Sequence, residues 1–194
     1  MVHTPRFSES AVQTVEAVTG PNGPSYLVLT HVDDTADHNR WKERYPNLKR
    51  VFHAGDLGVH NWIGDKTLED VEILLESRSS DCRLQYFDLN GRPIIDNDRD
   101  DDDDRDHDVV FVHTPGHTPG SIVLLKRSTV ITTSSNCDGT VITCTNNSSG
   151  VLFSADTYSY TTQEGGHTSG FPLYGVNDPL LQSKIIPLLL DLDW

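Results

Sequence analysis

The nine-residue phrase His113-Thr-Pro-Gly-His-Thr-Pro-Gly-Ser121 constrains this chain more than any other stretch. It lies between Val109-Val-Phe-Val112 and Ile122-Val-Leu-Leu125, two short apolar runs rich in β-branched residues that read as buried strands. The Pro-Gly pairs at 115–116 and 119–120 turn the chain between them. A histidine on such a turn is held by rigid scaffold on both sides, which suits a metal ligand. Many loop histidines have no such role, so the weight of His117 depends on what the rest of the chain offers beside it.

Two other stretches offer ligands. His31-Val-Asp-Asp-Thr-Ala-Asp-His38 places two His and three Asp within eight residues, just past the strand-like run Tyr26-Leu-Val-Leu-Thr30. Nitrogen and oxygen donors of this kind suit zinc or a similar divalent ion. Residues 36–45 read as a helix that Pro46 stops, with Asp37 and His38 in its first turn. The helix dipole favours a carboxylate there, so an acidic cap is the plainer alternative. Farther on, Val151-Leu-Phe-Ser-Ala-Asp-Thr157 reads as a buried strand ending on Asp156, a residue type that also forms turns.

Around these motifs the pattern alternates between strands and helices. Ser8 caps an expected helix over 9–18, with Ala11, Val12, Val15 and Val18 on one face. Residues 49–53 form a strand, and His53 reads as its terminal histidine rather than a ligand. His60 and Trp62 read as loop packing. Residues 70–75 and 82–89 give two more strands, and Asn90-Gly91 turns the chain into Pro93-Ile-Ile95. Asp178-Pro179 opens a helix that Pro187 kinks or stops. This alternation, without a GxGxxG phosphate loop, predicts a layered α/β domain outside the dinucleotide-binding class.

At 194 residues the chain can bury the core of one domain. Its net charge of −14 argues against nucleic acid or an anionic membrane as partner. Half of that charge sits in residues 96–108, where nine Asp and two Arg give −7. Such a block repels itself and reads as a solvated insertion, lacking the Gly and closing Glu of an EF-hand loop. A second insertion, 126–150, is rich in Ser, Thr and Asn, with room for a hairpin strand at 140–144 and sequons at 146–149 that count only in a secreted protein. Cys82, Cys137 and Cys144 form no CxxC pair and point to a reducing compartment. No apolar run is long enough to span a membrane, and no signal peptide opens the chain.

Taken in order, the three motifs resemble those of the metallo-β-lactamase superfamily. Thr30-His31 and Asp37-His38 match the ends of T-H-x-H-x-D-H, with two residues added between and Asp33 or Asp34 where the second His belongs. That form, T-H-x-D-D-x-A-D-H, is similar to a divergent branch found in photosynthetic organisms, in which a phrase like Val2-His-Thr-Pro-Arg-Phe-Ser-Glu-Ser10 also precedes the motif. His117 matches the His of the third motif, and Asp156 the Asp of L-F-x-G-D, with Ala155 in place of Gly. The resemblance implies a single domain over 1–194 with a four-layer αβ/βα sandwich of two mixed sheets. It implies a divalent metal site, zinc first and iron or manganese next, built from His31, Asp33 or Asp34, Asp37, His38, His117 and Asp156. Asp37 would orient or deprotonate a metal-activated water, and the substrate would be a small thioester or ester. A non-catalytic relative that binds without turnover is the competing expectation. The branch implies cytoplasm or plastid. Family members continue into a strand ending P-G-H-G, so the chain is expected to stop short of its last ligand and to lack the family's first strands.

Overall fold

The computed structural model describes residues 1–77, 83–94, 108–127, 150–158 and 177–192 in full, and the backbone of 129–137, 140–148, 159–160 and 167–168. Cys82, Ile95, residues 96–107 of the acidic insertion and Ser149 lie outside these, as do the side chains of Cys137 and Cys144.

Strands β1 (Tyr26–Val28), β2 (Lys49–His53) and β3 (Ile73–Leu75) form a parallel sheet in that order. Strands β4 (Gln85–Phe87), β5 (Pro93–Ile94), β6 (Val109–His113), β7 (Ile122–Lys126) and β10 (Val151–Phe153) form a second sheet in the order β10-β7-β6-β4-β5, antiparallel throughout. Both sheets were expected to be mixed; instead each has one sense. The cause is the length of the connections. Helix-containing crossovers join β1 to β2, whereas short turns join β4 to β5 and β6 to β7, and a short turn can only reverse a strand.

Side-chain alternation stacks these sheets. Val28, Val51, Ile73 and Leu75 meet Phe87, Phe111 and Ile122 in an interior shared by both sheets. The neighbouring residues Leu27, Leu29 and Phe52 face the other way, onto Val12 of helix α1 (Glu9–Thr19), Trp41 of helix α2 (His38–Arg44) and Tyr45, which caps α2. On the far side Val110, Val112, Val123 and Leu125 receive Ile185 and Leu189 of helix α3 (Pro179–Leu190). The layers therefore run helix, sheet, sheet, helix, as the two-fold period of the strands requires. No helix among the described residues is long and apolar enough to cross a membrane.

Several local expectations are met and several shift. Ser8 caps α1 by accepting from the Ala11 amide at 3.2 Å, but Val18 points into solvent at 85% exposure. The strand expected over 70–75 begins only at Ile73, because Lys66–Asp70 forms a 3-10 turn. The second insertion holds a hairpin of β8 (Thr129–Cys137) and β9 (Thr140–Ser148). Of the two effects expected of Pro187, it does not stop α3, which continues to Leu190. A proline there forfeits one helical hydrogen bond, but burial of Ile185 and Leu189 on the sheet outweighs it. The strand expected to run to Asp156 ends at Phe153; Val151 and Phe153 are exposed, and β10 is an edge strand. Ala155 then takes φ 48°, a conformation that favours glycine, and carries Asp156 into a 3-10 turn.

Candidate metal centre

Three chain segments meet at one edge of the sheets. His31 follows β1, where the Thr30 carbonyl accepts from the Ile122 amide at 2.8 Å and so ties the end of β1 to the start of β7. His117 lies in the β6–β7 turn. Asp156 lies in the turn after β10, held against the β6–β7 turn by a 2.9 Å bond between the Thr114 and Thr157 hydroxyls. The Gln182 side chain of α3 donates to the Thr157 carbonyl at 3.0 Å and to that of Asp156 at 3.3 Å. The His117 loop also leans on α3: the amides of Asn177 and Asp178 donate to the His117 and Gly116 carbonyls at 3.0 and 2.8 Å. Gly116 is required here, since its φ is 145° and a Cβ would stand 2.6 Å from Gln182 Cα.

The side chains so delivered converge. His31 Nε2 lies 3.6 Å from Asp156 Oδ2 and 3.9 Å from Asp33 Oδ2 and Asp34 Oδ2. His117 Nε2 lies 3.6 Å from Asp156 Oδ2 and 3.9 Å from Asp33 Oδ2. These separations are too long for hydrogen bonds. They are close to the spacing of about 3.4 Å between ligand atoms placed tetrahedrally at about 2.1 Å from one zinc ion. His31 and His117 are each 1% exposed, yet His31 Nε2 and both ring nitrogens of His117 have no hydrogen-bond partner among the described residues. Leaving a buried polar atom unpaired costs about 1–3 kcal/mol, and an ion among them removes that cost. The donor set fits a divalent cation. Burial, together with the neighbouring His117, holds the His31 imidazole below its usual range against the pull of Asp34, Asp156 and Asp33, which favours the neutral form that binds metal.

Outer contacts orient this set. His31 Nδ1 pairs with the Thr30 hydroxyl at 3.1 Å, leaving Nε2 to face the carboxylates. His3 Nδ1 lies 2.6 Å from Asp34 Oδ2, and the Trp62 indole N–H donates to Asp33 Oδ1 at 2.7 Å. Neither contact was legible beforehand, because residues 29 and more positions apart have no common spacing signal. The one hint at His3 was the phrase Val2-His-Thr-Pro. Its φ of 61° is strained for a non-glycine residue and aims the ring at Asp34.

Asp37 and His38 do not join this group. Asp37 is the N-cap residue of α2 rather than part of its first turn, and its Oδ2 accepts from the Phe7 amide at 2.9 Å. His38 Nδ1 faces a guanidinium nitrogen of Arg50 at 3.1 Å, so it must act as the acceptor. Its Nε2 then carries the proton and donates to Asp65 at 3.1 Å. Neither ring nitrogen of His38 remains for a metal. The physical reason is Arg50, 6% exposed, whose guanidinium also grips both carboxylate oxygens of Glu72 and bonds Asn39 and the Asp70 carbonyl. Compared with protein-family models, with curated proteins and with solved structures, the chain matches none.

A second histidine cluster lies against the loop that carries His117, through the bond from His113 to Pro119. His53 and His113 stack with ring centroids 3.9 Å apart and share the Ser77 hydroxyl. The Gly55 amide donates to His53 Nδ1, so His53 Nε2–H donates to Ser77 at 2.8 Å. Ser77 then donates to His113 Nδ1 at 2.7 Å, and His113 Nε2–H to the Pro119 carbonyl at 2.9 Å. Every donor finds an acceptor only if both rings are neutral. Burial, helped by His113, pushes His53 down to about 3, and burial lowers His113 as well. Below the unfolded value of about 6.5 the unfolded chain binds protons that the folded chain refuses, so stability falls as pH falls toward 3. His53 alone should remove about 2 kcal/mol between pH 7 and pH 5. His3, raised mainly by its bond to Asp34, acts in the opposite sense. Urea unfolding at the two pH values checks this: the wild-type midpoint should drop, and a His53→Gln variant should show a flatter dependence.

Proposed function

We propose that the chain is a metallo-β-lactamase-type hydrolase, a four-layer αβ/βα sandwich that uses one divalent ion against a small thioester or ester. Zinc is the first choice of ion, with iron or manganese as alternatives. The observation that carries the reading is the set of unpartnered imidazole nitrogens of His31 and His117 opposite Asp33, Asp34 and Asp156. His31 is common to both ligand groupings among the described residues, which is why one ion is proposed rather than two. When bound, such an ion lowers the pKa of a water to about 7 and makes hydroxide available at neutral pH. His31, His117 and Asp156 would hold it, with Asp33 fixed by Trp62 as the fourth donor. Asp34, its orientation set by His3, is the carboxylate left to take the proton of the attacking water. A cavity of about 530 Å³ lined by Val2, His3, Leu124, Phe153 and Ala155 adjoins these residues and suits the apolar part of an acyl group.

A second reading, a scaffold that binds without turnover, draws on the commitment of both His38 nitrogens to Arg50 and Asp65. Elemental analysis after dialysis against a weak chelator, followed by a thioester and lactone screen, separates the two. One retained transition metal per chain with turnover is the expected result. A retained ion without turnover favours the scaffold, and no retained ion overturns the hydrolase.

A further inference from the structure

Asp56 has no place in the ligand set, yet it is fully buried and its carboxylate is spent on the two loops that carry the histidines. Oδ2 accepts from the amide of Val32, the residue after His31, at 3.0 Å. The same oxygen accepts from the hydroxyl of Thr118, the residue after His117, at 2.7 Å. Oδ1 accepts from the Gly120 amide at 2.6 Å. The approach is as close as the backbone allows: a Cβ on Gly120 would lie 2.7 Å from Asp56 Cγ and from Asp56 N. A buried carboxylate is expensive unless its oxygens are satisfied, and here three donors from two separate loops satisfy them.

We infer that Asp56 is the positioning residue of the metal centre, its carboxylate setting the distance between His31 Nε2 and His117 Nε2. This rests on the metal-site reading above. Residues held for packing alone have no reason to bond the neighbours of both histidines, and apolar side chains would fill the same space at less cost. The sequence gap hides the relation, because Asp56 lies 24 positions from Val32 and 62 from Thr118.

The test is cobalt(II) titration of the purified chain, followed by the visible absorption of the bound ion, for the wild type, Asp56→Asn and Thr118→Val. Glu72→Gln, which weakens the remote Arg50 network, serves as a destabilised control. An amide at 56 has one acceptor oxygen instead of two, so a tenfold to hundredfold loss of cobalt affinity is expected, the range seen when outer partners of ligands are removed. The absorption band should shift as well. Thr118→Val, which removes one donor of three, should lose less, and Glu72→Gln should bind as the wild type does. Unchanged affinity and spectrum in Asp56→Asn would overturn the inference while leaving the metal site standing. So would an equal loss in Glu72→Gln, which would reduce Asp56 to a contributor to general stability. A wild type that binds no cobalt would overturn both readings.

Discussion

Replacing His117 by Ala is expected to abolish tight metal binding, with affinity falling by more than about 100-fold, the loss that removal of an outer partner alone can reach. The same replacement at His38 should leave metal content unchanged, although both residues are buried histidines from the motifs that suggested the site. Their difference is local chemistry. Among the described residues both ring nitrogens of His117 are unpaired, and Nε2 lies opposite Asp33 and Asp156. His38 accepts from Arg50 and donates to Asp65. His117→Ala also removes two buried unpaired nitrogens, so its stability without metal should change little, the lost packing being offset by the removed penalty. Metal content of the two variants, measured beside their unfolding midpoints, checks the prediction. Loss of metal in His38→Ala with His117→Ala unaffected would invert the assignment.

Arg50→Ala is expected to be the most destabilising single change outside the apolar core, by about 3 kcal/mol or more. The guanidinium makes a bidentate pair with Glu72 and bonds the Asn39 side chain, His38 Nδ1 and the Asp70 carbonyl, all with the arginine 6% exposed. Burial pushes Glu72 up, but Arg50 and Lys42 more than reverse this and bring it down to about 2. Removing Arg50 leaves Lys42 beside Glu72 but strands Asn39, His38 and the Asp70 carbonyl. Denaturant unfolding would show a lower midpoint, and Arg50→Lys should recover only part of the loss, because an ammonium cannot reproduce the planar fork. The same experiment bears on the site: with Arg50 gone, His38 Nδ1 loses its donor and becomes available as a ligand. A second bound ion in Arg50→Ala would show that this arginine is what keeps His38 out of the centre.

Much of the architecture was legible because its causes are local. The β6 and β7 runs are apolar at every position, as strands buried on both faces must be, and the structure turns Phe111 and Ile122 toward the shared interior and Val110, Val112 and Val123 toward α3. The cap at Ser8, the turn at Asn90-Gly91 and the opening of α3 at Asp178-Pro179 follow from side chains acting on nearby backbone. Pro187 shows the limit of such rules, since tertiary burial of α3 overrides a local helix breaker.

The centre divides in the same way. The sequence by itself supplied cation-binding donors at His31, Asp33 and Asp34, since donor chemistry belongs to the residue type, and the resemblance set His117 and Asp156 beside them. Residue type placed Asp37 and His38 in the same set. Only the tertiary structure decided which of these converge, because a lone pair is available only if nothing nearer has claimed it. Arg50 donates to Nδ1 of His38 and Asp65 accepts from its Nε2, the Phe7 amide is bound to Asp37, and Asp56 draws the loops of His31 and His117 together. Each of those partners lies far along the chain, where no periodicity reaches, and they became neighbours only when the sheets stacked.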